Sequence, residues 1–203
     1  MEKQKKFSRN KQEKINSIYS TFYRLLNEIG YNRTTTNLVA EVSKVSIGTI
    51  YRYFPDGKSS IMKGTLEHTS NKIFDIDDFN SMNEDNLPEK LESLIRKHLR
   101  VHRENFQYHL AVNQAILSNK DLFVDYGNNI NQLFEIIADE IREKNLFFQN
   151  VPRSHLIDTL LVVFNTLEAF IHRHMFITLI FPTDEELVQF LKKVLLVIIV
   201  PNN

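Results

Sequence analysis

The chain has 203 residues, of which 42% are hydrophobic and 25% charged, and it contains five glycines, five prolines and no cysteine. This length accommodates one large domain or a small domain joined to a medium one, and the apolar content is sufficient to bury a core. The missing cysteines exclude a disulfide framework and a thiolate metal site, and the few glycines and prolines favour long helices over a turn-rich β protein.

No segment predicts insertion into a membrane. Residues 1–14 lack the apolar stretch of a secretory signal, and the most apolar run, 194–200, is only seven residues long and too short to cross a bilayer. We therefore expect a soluble cytoplasmic protein with no membrane partner.

The formal net charge of zero conceals an asymmetry along the chain. Residues 1–72 carry 13 basic and 6 acidic side chains, whereas residues 73–203 carry 12 basic and 19 acidic ones. Such a division favours a polyanion-binding end and a separate acidic body. Because surface charge also fluctuates along chains without any function, the asymmetry indicates nucleic acid without establishing it.

Four helices are predicted in the N-terminal third, after a basic arm over 1–11. Apolar residues recur at steps of three and four from Ile15 to Ile29, and Gly30 follows where a helix end favours glycine. A second helix of about two turns includes Leu38, Val39 and Val42. Ser46 is a good N-cap for a third, from Ile47 to about Phe54. A fourth includes Ile61 and Leu66 and fades in the acidic loop 75–86.

The remaining sequence predicts only helices. They cover a segment that starts near Pro88 and the approximate ranges 105–117, 121–144, 153–178 and 184–199. Thr183 and Glu186 form a capping box for the last helix. No segment alternates with a period of two for long enough to predict a strand, so the predicted fold class is all-α.

Residues 30–55 predict a helix-turn-helix, because two short helices are joined by a tight turn. In that motif the second helix enters the major groove of DNA. Ala40 is small where the two helices would cross. An apolar wedge of Val39, Val45 and Ile50 would hold their angle. The residues left to face outward are Ser46, Ile47, Thr49, Tyr51 and Arg52. Small hydroxyls and methyl groups suit base edges, whereas Tyr and Arg suit phosphates or guanine.

This stretch closely resembles the tetracycline-repressor (TetR) family. The family pattern is matched by Val39-Ala40, by Val45-Ser46-Ile47-Gly48-Thr49-Ile50-Tyr51-Arg52-Tyr53-Phe54 and by Lys58. The resemblance covers residues 11–63. In two places the chain departs from the pattern. Lys44 replaces the usual turn glycine, which would require positive φ at a cost of about 1 kcal/mol. Gly57 is like a one-residue insertion that would displace Lys58 from its phosphate.

The resemblance implies an N-terminal three-helix DNA-binding domain, 1–58, followed by a helical ligand-binding and dimerisation domain, 59–203. The residues it assigns to DNA are Thr35, Thr36, Ser46, Ile47, Gly48, Thr49, Tyr51, Arg52 and Lys58. Thr35 or Thr36, Tyr51 and Lys58 would contact phosphates, and Gly48 would permit close approach to DNA. Tyr53 and Phe54 are interpreted as core. The basic arm has two interpretations, an extension into the minor groove and a disordered tail.

The two C-terminal helices predict a homodimer. The segment 153–178 is apolar almost all round and so requires burial on two sides, as does the run 195–200. The resemblance likewise implies a four-helix interface between partners. We predict interface positions at Leu160, Leu167, Phe170, Leu195 and Ile198.

An effector pocket is predicted in the C-terminal domain, since sensor pockets are largely apolar with a few polar anchors. The predicted lining residues are His102, Phe106, Phe134, Phe164, Asn165 and Glu168. Asn165 and Glu168, with His172, could instead hydrogen-bond across the dimer. His98 and His102 have i, i+4 spacing compatible with a metal pair. No third ligand is evident from spacing, so we interpret them as solvated or pocket-lining and expect no metal and no cofactor.

The sequence thus predicts a transcriptional repressor that a small-molecule effector releases from double-stranded operator DNA. The alternative is a helical protein-interaction module that retains the fold without sequence-specific DNA binding. An enzyme is not expected, because the sequence contains no nucleophile elbow, glycine-rich phosphate loop or HExxH motif.

Overall fold

The computed structural model describes the backbone of residues 2–70 and 77–199 and the side chains of residues 10–66, 79–122 and 124–199. Within that part of the chain every regular element is helical, which confirms the all-α prediction. The elements are α1 (Glu2–Arg33), α2 (Thr36–Val42), α3 (Ile47–Tyr53), α4 (Lys58–Ser70), α5 (Asp77–Asn80), α6 (Leu87–Glu104), α7 (Phe106–Ser118), α8 (Lys120–Lys144), α9 (Leu146–Gln149), α10 (Arg153–His172), a π-helical turn (Arg173–Ile177) and α11 (Asp184–Ile199).

Three short elements were not predicted. Helices α5 and α9 have four residues each, too few to produce a helical period in the sequence. Helix α9 is nevertheless capped, because the Asn145 side chain accepts a hydrogen bond of 2.9 Å from the backbone N–H of Phe147. The apolar period of 153–178 continues into the π-helical turn, which is why the sequence predicted one uninterrupted helix there.

Backbone conformations at two predicted positions agree with the sequence. Helix α1 kinks at Gly30, whose φ of 76° and ψ of 172° lie in a region that essentially only glycine adopts. Lys44 has a φ of 55° although it is not glycine. Its N–H donates to Glu41 and that of Val45 donates to Ala40, the two bonds of a Schellman motif that closes α2. The predicted strain at Lys44 is therefore present.

The chain divides into two compact units. The first unit comprises residues 1–69 and 105–127, and the second comprises 70–104 and 128–203. This division differs from the predicted boundary after residue 58. Ile61 and Met62 of α4 and Ala115 of α7 lie in the same core as Phe22 and Ile50. The sequence motif ends near residue 58, but the core on which it depends also needs α4 and α7.

In the second unit α6, α10 and α11 pack against one another. Their fully or almost fully buried apolar residues include Leu91, Ile95, Leu160, Leu167, Ile171, Leu187, Leu191 and Leu195. Ion pairs also join α6 to α11, with 2.6 Å between Lys192 Nζ and Glu92 Oε2 and 2.8 Å between Arg96 Nη2 and Glu185 Oε2.

The predicted dimer positions need correction. Leu160, Leu167 and Leu195 are buried within the single chain and so belong to the core of the second unit. Phe170 and Ile198 are half-buried. The prediction that α10 has no solvated face is wrong for the single chain, because one side of the helix is exposed at Asp158, Val162, Asn165 and Ala169. Residue type alone did not reveal that side, since Val162 and Ala169 are themselves apolar.

One described segment, Arg153–Ile177, is long and apolar enough to pass a test for a membrane span, with a mean hydropathy of 1.3. The core helix of a soluble protein passes the same test. In this chain α10 contributes Leu156, Val163 and Leu167 to the core of the second unit.

Candidate nucleic-acid interface and buried histidine cluster

Two N-caps build the α2–turn–α3 segment. The Thr35 hydroxyl accepts from the backbone N–H of Leu38 at 3.2 Å, and the Ser46 hydroxyl accepts from that of Thr49 at 3.1 Å. Each cap satisfies a backbone donor that a helix start leaves without a partner. Val39 and Ile50 are fully buried and hold the two helices on the core, as the apolar wedge predicts.

The opposite side of α3 forms what we call the recognition face: Ser46, Ile47, Gly48, Thr49, Tyr51 and Arg52. Ile47 is 40% exposed and Tyr51 is 51% exposed, so both side chains are accessible to a partner. Ser46, Gly48 and Arg52 are also exposed, and Thr49 is half-buried with its hydroxyl 2.9 Å from that of Ser46. The face therefore presents hydroxyls, an aliphatic group, a phenol and a guanidinium on one short helix.

Gly57 helps to shape one edge of this face. Its φ is 58°, and a Cβ atom placed there would lie 3.2 Å from both the Tyr51 ring and the Thr36 hydroxyl. The residue that resembles an insertion in the sequence thus provides a left-handed turn and room for the Tyr51 ring. Thr36 is half-buried beside it, whereas Thr35 is exposed.

Lys58 is placed differently from a phosphate-binding lysine. Its ammonium donates a hydrogen bond to the Tyr31 carbonyl and lies 3.5 Å from the centre of the Tyr31 ring. Burial lowers the pKa of Lys58 and raises that of Tyr31. In this conformation Lys58 fastens the start of α4 to the end of α1.

Tyr53, the last residue of α3, and Phe54, its C-cap, are aromatic. Phe54 is buried and meets the Tyr19 ring edge-on at 5.4 Å between centres, as its interpretation as core requires. Tyr53 is half-buried, with the Arg52 guanidinium 5.0 Å and the Lys11 ammonium 5.8 Å from its ring centre. Residues 2–11 of the predicted basic arm are helical, and the side chains of the arm up to residue 9 lie outside the described residues.

The predicted effector-pocket residues are distributed over several places. Phe134 and Phe164 are buried together in the second unit, with 5.6 Å between ring centres. Phe106 begins α7 and belongs to the first unit. Asn165 is exposed and donates to the Leu161 carbonyl, so its interpretation as a buried polar anchor is wrong.

An open groove of about 510 Å³ along α6 is lined by charged residues, including Glu89, Arg96 and Arg100, and differs from the apolar pocket that was predicted.

His102 and Glu168 meet in a buried group that we call the histidine cluster: His98, His102, Glu168 and His172. Glu168 Oε1 lies 2.6 Å from His98 Nε2 and 3.3 Å from His102 Nε2, and its Oε2 lies 2.9 Å from His172 Nε2. His98 and His102 are almost fully buried, which excludes their interpretation as a solvated pair. Imidazole nitrogens and carboxylate oxygens are also metal-ligand types. The sequence showed the spacing of His98 and His102 but not that Glu168 and His172 lie opposite them.

Burial and hydrogen bonding oppose each other in this cluster. Burial by itself would raise the pKa of Glu168, but hydrogen bonds with the three histidines hold it well below the usual value. Burial lowers the pKa of His98 in spite of its hydrogen bond to Glu168. Glu168 is therefore a carboxylate at neutral pH.

Comparison with known proteins identifies the first unit. Residues 18–63 match the family model described as "Bacterial regulatory proteins, tetR family". No curated protein matches the chain. The matched residues include the whole of α2 and α3 and therefore the recognition face.

Solved structures share the fold over nearly the whole chain. A TetR-family transcriptional regulator from Streptomyces coelicolor superimposes with a TM-score of 0.64 and 18% identity, covering 95% of this chain and 99% of its own. A TetR regulator from Rhodococcus sp. RHA1 has a TM-score of 0.63 and 18% identity, covering 93% and 98%. The fatty acid degradation regulator FadR from Bacillus halodurans has a TM-score of 0.59 and 19% identity, covering 93% and 95%. Residues 18–63 thus form a DNA-binding region of the TetR type, and the fold of the chain is similar to that of TetR-family transcriptional regulators.

Proposed function

We propose that this chain is a cytoplasmic, homodimeric repressor that binds operator DNA through the recognition face and leaves it when a small-molecule effector binds the second unit. The observation that supports this most directly is the exposure of Ile47, Tyr51 and Arg52 on α3. These three side chains lie together on one short helix among polar groups, and an exposed apolar patch with a polar rim is typical of an interaction surface.

Each group on this surface suits a particular part of duplex DNA. The Arg52 guanidinium can donate two hydrogen bonds to guanine in the major groove, and the methyl groups of Ile47 and Thr49 can contact thymine. Hydroxyls at Ser46, Thr35 and Thr36 and the Tyr51 phenol can donate to phosphate oxygens. Gly48 lets the helix backbone approach the groove closely. Lys58 joins the phosphate contacts only if it leaves Tyr31.

A dimer is proposed because two recognition helices must be tied together to read half-sites about one DNA turn apart. The surfaces that would join are the exposed side of α10, with Val162, Asn165 and Ala169, and that of α11, where Val197 is 64% exposed. Phe170 and Ile198 remain candidates at the margins of these surfaces. Effector binding would favour a dimer in which the spacing of the recognition helices no longer fits the operator.

The test begins with selection of binding sequences from a random pool of duplex DNA by the full-length protein. Affinity for the selected duplex is then measured by fluorescence anisotropy at several salt concentrations. We expect Arg52→Ala to weaken binding by about 1–3 kcal/mol, roughly 5- to 150-fold, and to relax preference at one base pair.

The matched control is Arg24→Ala, which removes an exposed arginine from α1 of the same unit. It should leave affinity within about 2-fold of wild type, as expected for a surface charge away from DNA. If no sequence is enriched, or if both arginine variants weaken binding equally, the recognition face does not read DNA. The protein-interaction alternative would then be favoured.

A further inference from the structure

The histidine cluster joins two i, i+4 pairs from different helices of the second unit. His98 and His102 lie one turn apart on α6, and Glu168 and His172 lie one turn apart on α10. The ligand atoms of His98, His102 and Glu168 all lie within 4.8 Å of one another. His172 Nε2 completes the group at 2.9 Å from His102 Nε2.

These separations are close to those around a bound ion. Bonds of about 2.0–2.1 Å to a tetrahedral zinc ion place neighbouring ligand atoms roughly 3.3 Å apart. The distances from Glu168 to each of the three histidines, and from His102 to His172, range from 2.6 to 3.3 Å. The ligand atoms are therefore already gathered at about the spacing that a small cation requires.

The orientation of His102 also favours a metal ligand. Its Nδ1 lies 3.0 Å from the backbone carbonyl of His98, which can only accept, so Nδ1 carries the proton. Its Nε2 atom faces Glu168 and His172 and is the ring nitrogen that would bind an ion. Metal-binding histidines are commonly held this way, by a hydrogen bond from the second ring nitrogen to a carbonyl or carboxylate.

We propose that the second unit binds one divalent transition-metal ion of the Zn²⁺ class through His98, His102, His172 and Glu168. Imidazole with one carboxylate suits Zn²⁺, Co²⁺, Ni²⁺ or Cu²⁺, whereas Mg²⁺ and Ca²⁺ prefer oxygen ligands throughout. Four protein ligands correspond to a closed site, which holds an ion without leaving a position for substrate. The proposal concerns the second unit alone and does not depend on DNA binding.

The test uses untagged full-length protein that has been freed of metal with a chelator. Co²⁺ is titrated and its visible d–d absorption followed, and Zn²⁺ is then added to displace it. We expect one Co²⁺ per chain with the intense bands of a four-coordinate site, complete displacement by Zn²⁺, and no binding of Mg²⁺.

The informative variant is His172→Ala, because His172 is the most exposed member of the cluster and its loss should not unfold the unit. We expect at least about 100-fold weaker binding, the upper end of what loss of a supporting residue costs. The control is His155→Ala, an exposed histidine of the same helix, which should bind as wild type does. Glu168→Gln retains the shape of the side chain and should lose affinity similarly.

Circular dichroism establishes that each variant is folded. Folded wild-type protein that shows no d–d bands with Co²⁺ and no heat of binding with Zn²⁺ would overturn the proposal. So would equal affinities of wild type and folded His172→Ala.

Discussion

The recognition face of the first unit and the histidine cluster of the second bring their residues together in different ways. All residues of the recognition face lie within 46–52, on one short helix and its N-cap. The cluster joins His98 and His102 to Glu168 and His172, partners 70 positions apart in the sequence. The first site is therefore local and exposed, whereas the second is formed by tertiary packing and is mostly buried.

Because one site is exposed and the other is mostly buried, the two sites differ in how much they lower the stability of the fold. Exposed hydroxyls and a guanidinium keep their hydration, so the recognition face can be built from polar residues at little energetic cost. A buried carboxylate loses its hydration and must be compensated by hydrogen bonds or a cation. Variants at the recognition face should accordingly change binding with little effect on folding, whereas buried supports should change both.

The largest expected effect separates two isoleucines of α3. Ile50→Ala removes a fully buried side chain and should lower the free energy of unfolding by about 2–5 kcal/mol, with loss of DNA binding because α3 loses its anchor. Ile47→Ala, three residues earlier at 40% exposure, should change stability by less than about 0.5 kcal/mol while weakening DNA binding. Urea unfolding followed by circular dichroism measures the first quantity and fluorescence anisotropy the second. Equal destabilisation by both variants would contradict the assignment of Ile50 to the core and of Ile47 to the recognition face.

A smaller effect is expected at the turn between α2 and α3. Lys44→Gly should stabilise the protein by about 1 kcal/mol, because glycine adopts the left-handed conformation without a Cβ penalty. Lys44→Ala removes the same charge but retains Cβ, and it should give no gain. The midpoint of urea unfolding is the measurement. If the two variants have the same midpoint, the positive φ carries no strain.

The smallest effect concerns the ion pairs of α6 in the second unit. Hydrogen bonds from Lys192 and Arg96 lower the pKa of Glu92 to about 2. Since the folded pKa lies below the unfolded value of about 4.3, this contribution is present above that pH and is lost as the pH falls toward 2. Thermal melts between about pH 6 and about pH 2, a range that includes both pKa values, should show less acid sensitivity in Glu92→Gln than in wild type.

Glu89→Gln is the control for this prediction, since it removes an exposed acid from the same helix outside the Glu92 ion pairs. The effect is small because exposed ion pairs are weak and screened by salt. An acid sensitivity unchanged by Glu92→Gln would show that the network adds nothing to stability.

Much of the helical architecture was predictable from local signals. The N-cap at Ser46 and the first half of the capping box at Thr183, which accepts from the Glu186 N–H at 3.2 Å, occur as predicted. The apolar period located α3, α7, α8 and α11, and the start of α6, to within one or two residues. Such signals act over three or four residues and do not need the rest of the fold.

Where buried faces had to be assigned, local signals were insufficient. On α10 and α11 apolar residues occur on more than one side of the helix, so the sequence could not distinguish Leu167 and Leu195, which are core, from Val162 and Val197, which are exposed. Asn165 was misassigned for the same reason. Only the packing of α6, α10 and α11 selects which side of each helix is covered.

The recognition face was predicted from the sequence alone, because its N-cap, its helix and the preceding turn lie within one continuous stretch. Once the buried residues of such a helix are assigned, the helical period gives the residues that are exposed. The histidine cluster was decided by tertiary structure. The sequence showed His98 and His102 on one face of a helix, but their partners come from another helix 70 residues later. Helical period identifies residues on the same face, whereas the residues that oppose that face are set by long-range packing.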